Sequence, residues 1–89
     1  MKAILDGALV NDRASLHDQL QEQLNLPYYY GRNLDALFDL LTERSGDTEL
    51  TVKNWQLLET ALGMYAAALM DTLYDAAKEN KQLTIQVEQ

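Results

Sequence analysis

A two-layer α/β domain is the fold class the sequence predicts, and three observations carry it. Short strand-like segments at Lys2–Asp6, Glu49–Lys53 and Leu83–Glu88 are separated by stretches of helical period, and strands joined through helices are expected to run parallel. The last segment, Leu83-Thr84-Ile85-Gln86-Val87-Glu88, alternates apolar and polar residues. A parallel sheet covered on both faces reads instead as continuous apolar runs, so one face of this sheet is expected to be open. The length, 89 residues, makes a single domain over 1–89 with room for one modest core.

The first strand, Lys2–Asp6, closes at Gly7. A helix follows from about Ala14 to Asn25, with Leu16, Leu20 and Leu24 on one face, and Leu26-Pro27 stops it. Tyr28–Arg32 is a connection. Asn33 stands in an N-cap position for a second helix running to about Arg44, whose apolar stripe is Leu34, Leu37, Leu40 and Leu41. Ser45-Gly46-Asp47 is a turn and Glu49–Lys53 the second strand. Asn54 is expected to cap a short helix, Trp55–Leu62, that ends at Gly63. The longest helix, Tyr65 to about Glu79, carries Ala66, Leu69, Met70, Leu73 and Ala77 as its stripe, and Asn80 is a left-handed stop before the final strand.

Composition narrows the function classes. An apolar content of 47% with 24% charged residues is that of a folded globular chain. Cysteine is absent, so neither a disulfide framework nor a thiolate metal site is expected. Met1-Lys2-Ala3-Ile4-Leu5-Asp6 reaches charge too early for a signal peptide, and no run approaches the roughly 20 apolar residues of a membrane span. A cytoplasmic protein, monomeric when free, with no membrane and no cofactor is the expectation. Fourteen acids against seven bases give a net charge of -7. Binding to phosphate backbones needs clustered Lys and Arg, so nucleic acid is excluded as a partner, whereas an acidic face would steer a basic protein toward it.

The most informative segment is Tyr28-Tyr29-Tyr30-Gly31-Arg32-Asn33-Leu34-Asp35-Ala36-Leu37-Phe38-Asp39-Leu40-Leu41. Asp35 and Asp39 lie four residues apart and share a flank of the second helix, with Glu43 continuing the ridge and Phe38 at its border with the apolar stripe. Like charges at that spacing cost a helix a few tenths of a kcal/mol. Asp35 has a folding rationale, since a carboxylate in the first turn meets the positive end of the helix dipole; Asp39 has none. From spacing alone a solvated acidic face outweighs a binding site. Tyr29 and Tyr30 suit either packing of the connection or an interface, where Tyr buries much area at little entropic cost. Gly31 is expected to adopt a backbone angle that other residues resist. His17 stands alone without a second His or a Cys, so a structural role is favoured over catalysis. Asp71, Asp75 and Glu79 read as a solvated face.

The run from Leu24 to Thr42 resembles the signature segment of the barstar family, intracellular inhibitors of secreted ribonucleases of the barnase type. Leu16-His17, Leu20 and Leu83-Thr84-Ile85 extend the resemblance over nearly the whole chain without a gap. It implies a three-stranded parallel sheet in the order 1-2-3 with about four helices, largely on one side. It also implies that Tyr29, Tyr30, Gly31, Asn33, Leu34, Asp35, Phe38 and Asp39 bind a basic, secreted-type ribonuclease. In the family the matching acids enter the enzyme's cleft and pair with the cations that hold RNA phosphate. Four positions depart from the family pattern: Phe38 and Arg44 replace tryptophans, Arg32 replaces an acid and sets a cation beside Asp35, and an interface acid aligns with Ala76, where Asp75 offers a partial substitute. Arg44 and Asp75 are therefore peripheral candidates. Two other readings stay open. One is a non-inhibitory module that uses the same acidic helix on another basic protein. The other is an enzyme with Asp35 and Asp39 as an acid/base pair, disfavoured because a convex helix in so small a chain offers little cleft to separate their pKa values. No acid spacing of a calcium loop is present.

Overall fold

The computed structural model describes residues 1–89. The chain runs through β1 (Lys2–Asp6), a 3-10 turn (Gly7–Leu9), α1 (Arg13–Gln23), α2 (Leu34–Glu43), β2 (Thr48–Lys53), α3 (Trp55–Leu62), α4 (Met64–Glu79) and β3 (Leu83–Val87). The strands form one all-parallel sheet in the order β1-β2-β3. Leu5 pairs with Val52, and Ala3 with Leu50, which pairs in turn with Ile85. Ala3, Leu5, Leu50, Val52 and Leu83 are buried on one side, while Lys2, Ile4, Thr84 and Gln86 between them are exposed. The sheet thus has one covered and one open face, as its alternating last strand predicts.

The helices supply the other layer of the core with side chains at helical spacing: Leu16, Leu20 and Leu24 from α1 and its C-terminal end, Leu37 and Leu41 from α2, Leu58 from α3, and Ala66, Leu69, Leu73 and Ala76 from α4, all fully buried. Each buried leucine contributes about 1.5–3 kcal/mol by removal from water. At the start of α1, Asp12 accepts the Ser15 N–H at 2.8 Å while Ser15 Oγ accepts the Asp12 N–H at 3.1 Å, a reciprocal cap. One helix turn apart, Gln19 and Gln23 reach the outer edge of β1. Gln23 Oε1 accepts from the Ile4 N–H at 3.2 Å, and Gln19 pairs with both the N–H and the carbonyl of Asp6. Side-chain amides so occupy an edge that would otherwise offer itself to a further strand. The 3-10 turn lies against α3 so closely that a Cβ on Gly7 would meet the Asn54 carbonyl and, at 2.9 Å, the Leu58 nitrogen.

Two asparagines depart from the sequence expectation. Asn54 does not cap α3 with its side chain: it sits in the left-handed region at φ 56°, and its Nδ2 donates to Asp6 Oδ1 at 2.7 Å. Asp6 also accepts the Ala8 N–H, and these two bonds, the Asn54 one first, hold its carboxyl below the usual carboxylate range. Asn80 is not a left-handed stop but is extended, at φ -118°. It is 9% exposed, and its Nδ2 donates to the Leu41 and Arg44 carbonyls at 2.8 and 3.0 Å. Those carbonyls close the C-terminal end of α2, where helical partners run out, so Asn80 is held by an acceptor pair from another helix rather than by a local turn.

Candidate functional site

Asn33 fixes where α2 begins. Its backbone is extended and its Oδ1 accepts the Ala36 N–H at 2.7 Å. From that start the helix turns Leu37 and Leu41 into the core, rests Leu34, Phe38 and Leu40 half-buried against it, and leaves Asp35, Asp39 and Glu43 exposed. Neither Asp35 nor Asp39 has an ion-pair or side-chain hydrogen-bond partner, and the molecule's one ion pair lies elsewhere, between Arg32 and Asp18. The acidic ridge is therefore unpaired. Its repulsion is relieved at Asp35 by the helix start and at Asp39 by nothing within the chain.

The preceding loop separates the three tyrosines. Tyr28 and Tyr29 are 94% and 68% exposed, with their rings packed edge to face at 5.5 Å between centroids. Tyr30 is 4% exposed, so of the two roles open to it the ring takes packing in the core, unlike Tyr29. The cause is a polar anchor: Tyr30 Oη lies 2.6 Å from His17 Nδ1, and His17 Nε2 lies 2.9 Å from Tyr65 Oη. Burial chiefly, then the charges of Arg32 and Arg13, push the His17 pKa down. As a neutral imidazole, His17 donates to one tyrosine hydroxyl and accepts from the other. The Arg13 guanidinium lies 4.0 Å over the Tyr65 ring centroid. His17 has the structural role its isolation suggests.

Gly31 and Arg32 both depart from the sequence expectation. Gly31 does not take a positive φ; that conformation falls on Arg32, at φ 57°. What Gly31 offers is space, because a Cβ there would stand 3.1 Å from the Ala36 Cβ, a tight contact to which the start of α2 would have to yield by a few tenths of an ångström. Arg32 does not pair with Asp35. Its guanidinium donates to Asp18 Oδ1 at 2.6 Å, the Ala14 carbonyl at 3.0 Å and Gln21 Oε1 at 3.2 Å, all on α1.

Two shallow clefts flank the ridge. Tyr29, Gly31, Asp39, Leu40 and Glu43 line one; Asp35 lines the other, with Asn33, Leu34, Arg13 and Arg32 among its neighbours. The structure thus sets Tyr29, Gly31 and Asp39 around one depression and keeps Asp35 on the same helix flank beside a second. The peripheral candidates lie outside both. Arg44 donates from Nε to Thr48 Oγ1 at 3.0 Å and reaches the Met1 sulfur, tied to the end of the sheet. Asp75 is exposed on α4, beside Asp71, Tyr74 and Lys78, while Ala76 next to it is fully buried. No group of three His, Cys, Asp or Glu side chains is placed to hold a metal ion. No helix is long and apolar enough to cross a membrane.

Sequence comparison identifies similar proteins. The family described as Barstar (barnase inhibitor) matches residues 1–88. A protein of Bacillus subtilis (strain 168) named "Putative ribonuclease inhibitor YrdF" is 43% identical over 82 residues, covering 90% of this chain and 89% of that protein.

Proposed function

The chain belongs to the barstar family, and on that premise we propose that it is a ribonuclease inhibitor. It occludes the basic active-site cleft of a barnase-type ribonuclease with the ridge of α2 and the Tyr29 loop. The observation that carries this reading is the pair of exposed carboxylates, Asp35 and Asp39, without any partner in the chain. A cleft that binds RNA holds cations for phosphate, and carboxylates inserted among them make charge-assisted hydrogen bonds that replace their lost hydration. Tyr29 lies beside Asp39 and supplies apolar area with little entropy to lose. Leu34, Phe38, Gly31 and Asn33 complete the contact, the last two mainly by shaping it. Tyr30 serves from beneath, through His17. The inhibitor carries out no chemistry of its own and needs no cofactor.

The peripheral candidates take smaller parts. Arg44 is committed to Thr48 and Met1, so its contribution to a partner is slight. Asp75 is the exposed acid next to buried Ala76, and it extends the negative surface onto α4. The reading is tested by titrating the purified protein into barnase and into other basic secreted ribonucleases while following RNA cleavage. Inhibition that reaches completion at one inhibitor per enzyme is expected for at least one of them. If every enzyme retains full activity at saturating protein, the reading is wrong, and the acidic helix serves another basic protein.

A further inference from the structure

The loop that carries Tyr28 and Tyr29 is held by a single stripe of α1. Ala14, His17, Asp18 and Gln21 are spaced at i, i+3, i+4 and i+7, which puts them on one helix face. Every one of them bonds to the loop. Gln21 Nε2 donates to the Pro27 carbonyl at 3.0 Å, His17 pairs with the Tyr30 hydroxyl, and the Ala14 carbonyl, Asp18 Oδ1 and Gln21 Oε1 all accept from the Arg32 guanidinium. The Tyr30 N–H also donates to the Pro27 carbonyl at 3.0 Å, closing a turn between the anchors. Between the pinned Pro27 and Tyr30 lie Tyr28 and Tyr29, and they are the ones whose rings stand out in solvent.

Arg32 is the strained member of this arrangement. A side chain other than glycine at φ 57° is disfavoured, and it persists where the surroundings over-determine it. Three hydrogen bonds from one guanidinium, in the fork geometry that lysine lacks, supply that determination. Against solvent-exposed partners such bonds are individually weak, so what they fix is the local loop, not the global fold.

We infer that Arg32 is a positioning residue. Clamped to α1, it sets the Tyr28–Arg32 loop in its binding conformation before a partner arrives, so that the ordering cost of the loop is met on folding and not on association. This rests on the ribonuclease-binding reading for its consequence, but the clamp itself is a property of the free protein. It also turns the cation at position 32 from a charge facing the partner into a strut on the inhibitor's own helix.

The test compares Arg32→Ala, Arg32→Lys, Arg32→Gly and Asp18→Ala with the parent. Amide hydrogen exchange and nitrogen relaxation are measured on the free proteins, and inhibition of a barnase-type ribonuclease alongside. Loss of the clamp is expected to speed exchange of the Tyr30 amide at least about five-fold in all four, with little change in the melting temperature. Arg32→Lys keeps the charge but not the fork, and Arg32→Gly relieves the backbone but removes the anchor, so neither rescues. Arg32→Ala and Asp18→Ala combined should exchange no faster than the faster single variant, as expected of residues that share one bond. In the inhibition arm Asp18→Ala, on the helix behind the loop, should weaken binding about as much as Arg32→Ala. A Tyr30 amide whose exchange is unchanged in Arg32→Ala would overturn the inference, as would full rescue by Arg32→Lys. Loosened loops in the variants, together with a parent protein that inhibits no ribonuclease, would leave the clamp standing and remove the binding reading instead.

Discussion

Asp39 sits too far along α2 for the helix start to favour it, and no cation in the chain lies within ion-pairing distance of it. Asp39→Ala should therefore leave thermal unfolding nearly unchanged and remove at least about 2 kcal/mol of binding, the scale of an interface hot spot. Asp35→Ala should weaken binding too but cost slightly more stability, because Asp35 lies in the first turn of α2. Calorimetric melting and inhibition measured side by side on both variants check this, and an Asp39→Ala protein that inhibits like the parent would reduce the ridge to a solvated surface. His17 makes a separate prediction. The groups that face it are Tyr30, Tyr65, Arg13, Arg32 and Asp18, and its folded pKa lies below the unfolded value of 6.5. Above that value His17 is neutral in both states. As pH falls through it, the unfolded chain takes up the proton first, so stability declines until the lower folded pKa is reached. The hydrogen-bonded carboxyls of Asp6 and Asp12 act in the same direction only near and below 3.8. Urea unfolding should therefore weaken from pH 7 toward pH 5 in the parent, and His17→Gln should flatten that dependence.

At the level of elements, α2 is aimed by both of its ends. Asn33 caps the first turn, and Asn80, a residue beyond α4, binds the carbonyls of Leu41 and Arg44 at the other end. Asn80→Ala would leave the half-buried Arg44 carbonyl without its donor, at about 1–3 kcal/mol, and the Leu41 carbonyl with only the long bond from the Arg44 N–H at 3.4 Å. The melting temperature should fall and the exchange of amides at the end of α2 should rise, while the sheet keeps its protection. An unchanged melting temperature would mean that water replaces the amide at no cost. The two asparagine misreadings share a cause. Helix starts and strand periodicity are local signals, so the limits of α2, α3 and the strands were legible in the sequence to within a residue or two. Where an asparagine side chain goes depends on which distant acceptor folding brings near, and neither Asp6 for Asn54 nor Leu41 for Asn80 is announced by spacing. The loop repeats the lesson. Tyr28, Tyr29 and Tyr30 are indistinguishable in composition, and only the position of His17 and Tyr65 decides that Tyr30 is the buried one. A partial signal existed in Ala14, His17, Asp18 and Gln21, a stripe of α1 with less apolar character than its Leu16-Leu20-Leu24 face, which marks a surface that something polar covers.

The molecule as a whole carries a net charge of -7 with a single internal ion pair, so most of its acids contribute to one long-range field. Against a basic partner such a field raises the rate of encounter, and under the proposed function short contacts at Asp35, Asp39 and Tyr29 then determine how long the complex lasts. The two contributions respond differently to salt. Screening lengths fall from roughly 30 Å at 0.01 M to 3 Å at 1 M, which removes steering but leaves hydrogen-bonded carboxylates in a dried cleft largely intact. Association measured by stopped flow should therefore slow at least about ten-fold across that range, with dissociation changing much less. Charge position sharpens the expectation. Neutralising Asp71 and Asp75 on α4, outside both clefts that flank the ridge, should lower the association rate and its salt slope with a smaller change in dissociation. Asp39→Ala should act mainly by speeding dissociation, because the enzyme's cations lose a direct partner. If association is indifferent to ionic strength while inhibition persists, docking rests on the apolar area of Tyr29, Leu34 and Phe38, and the excess of acids serves solubility instead of recognition.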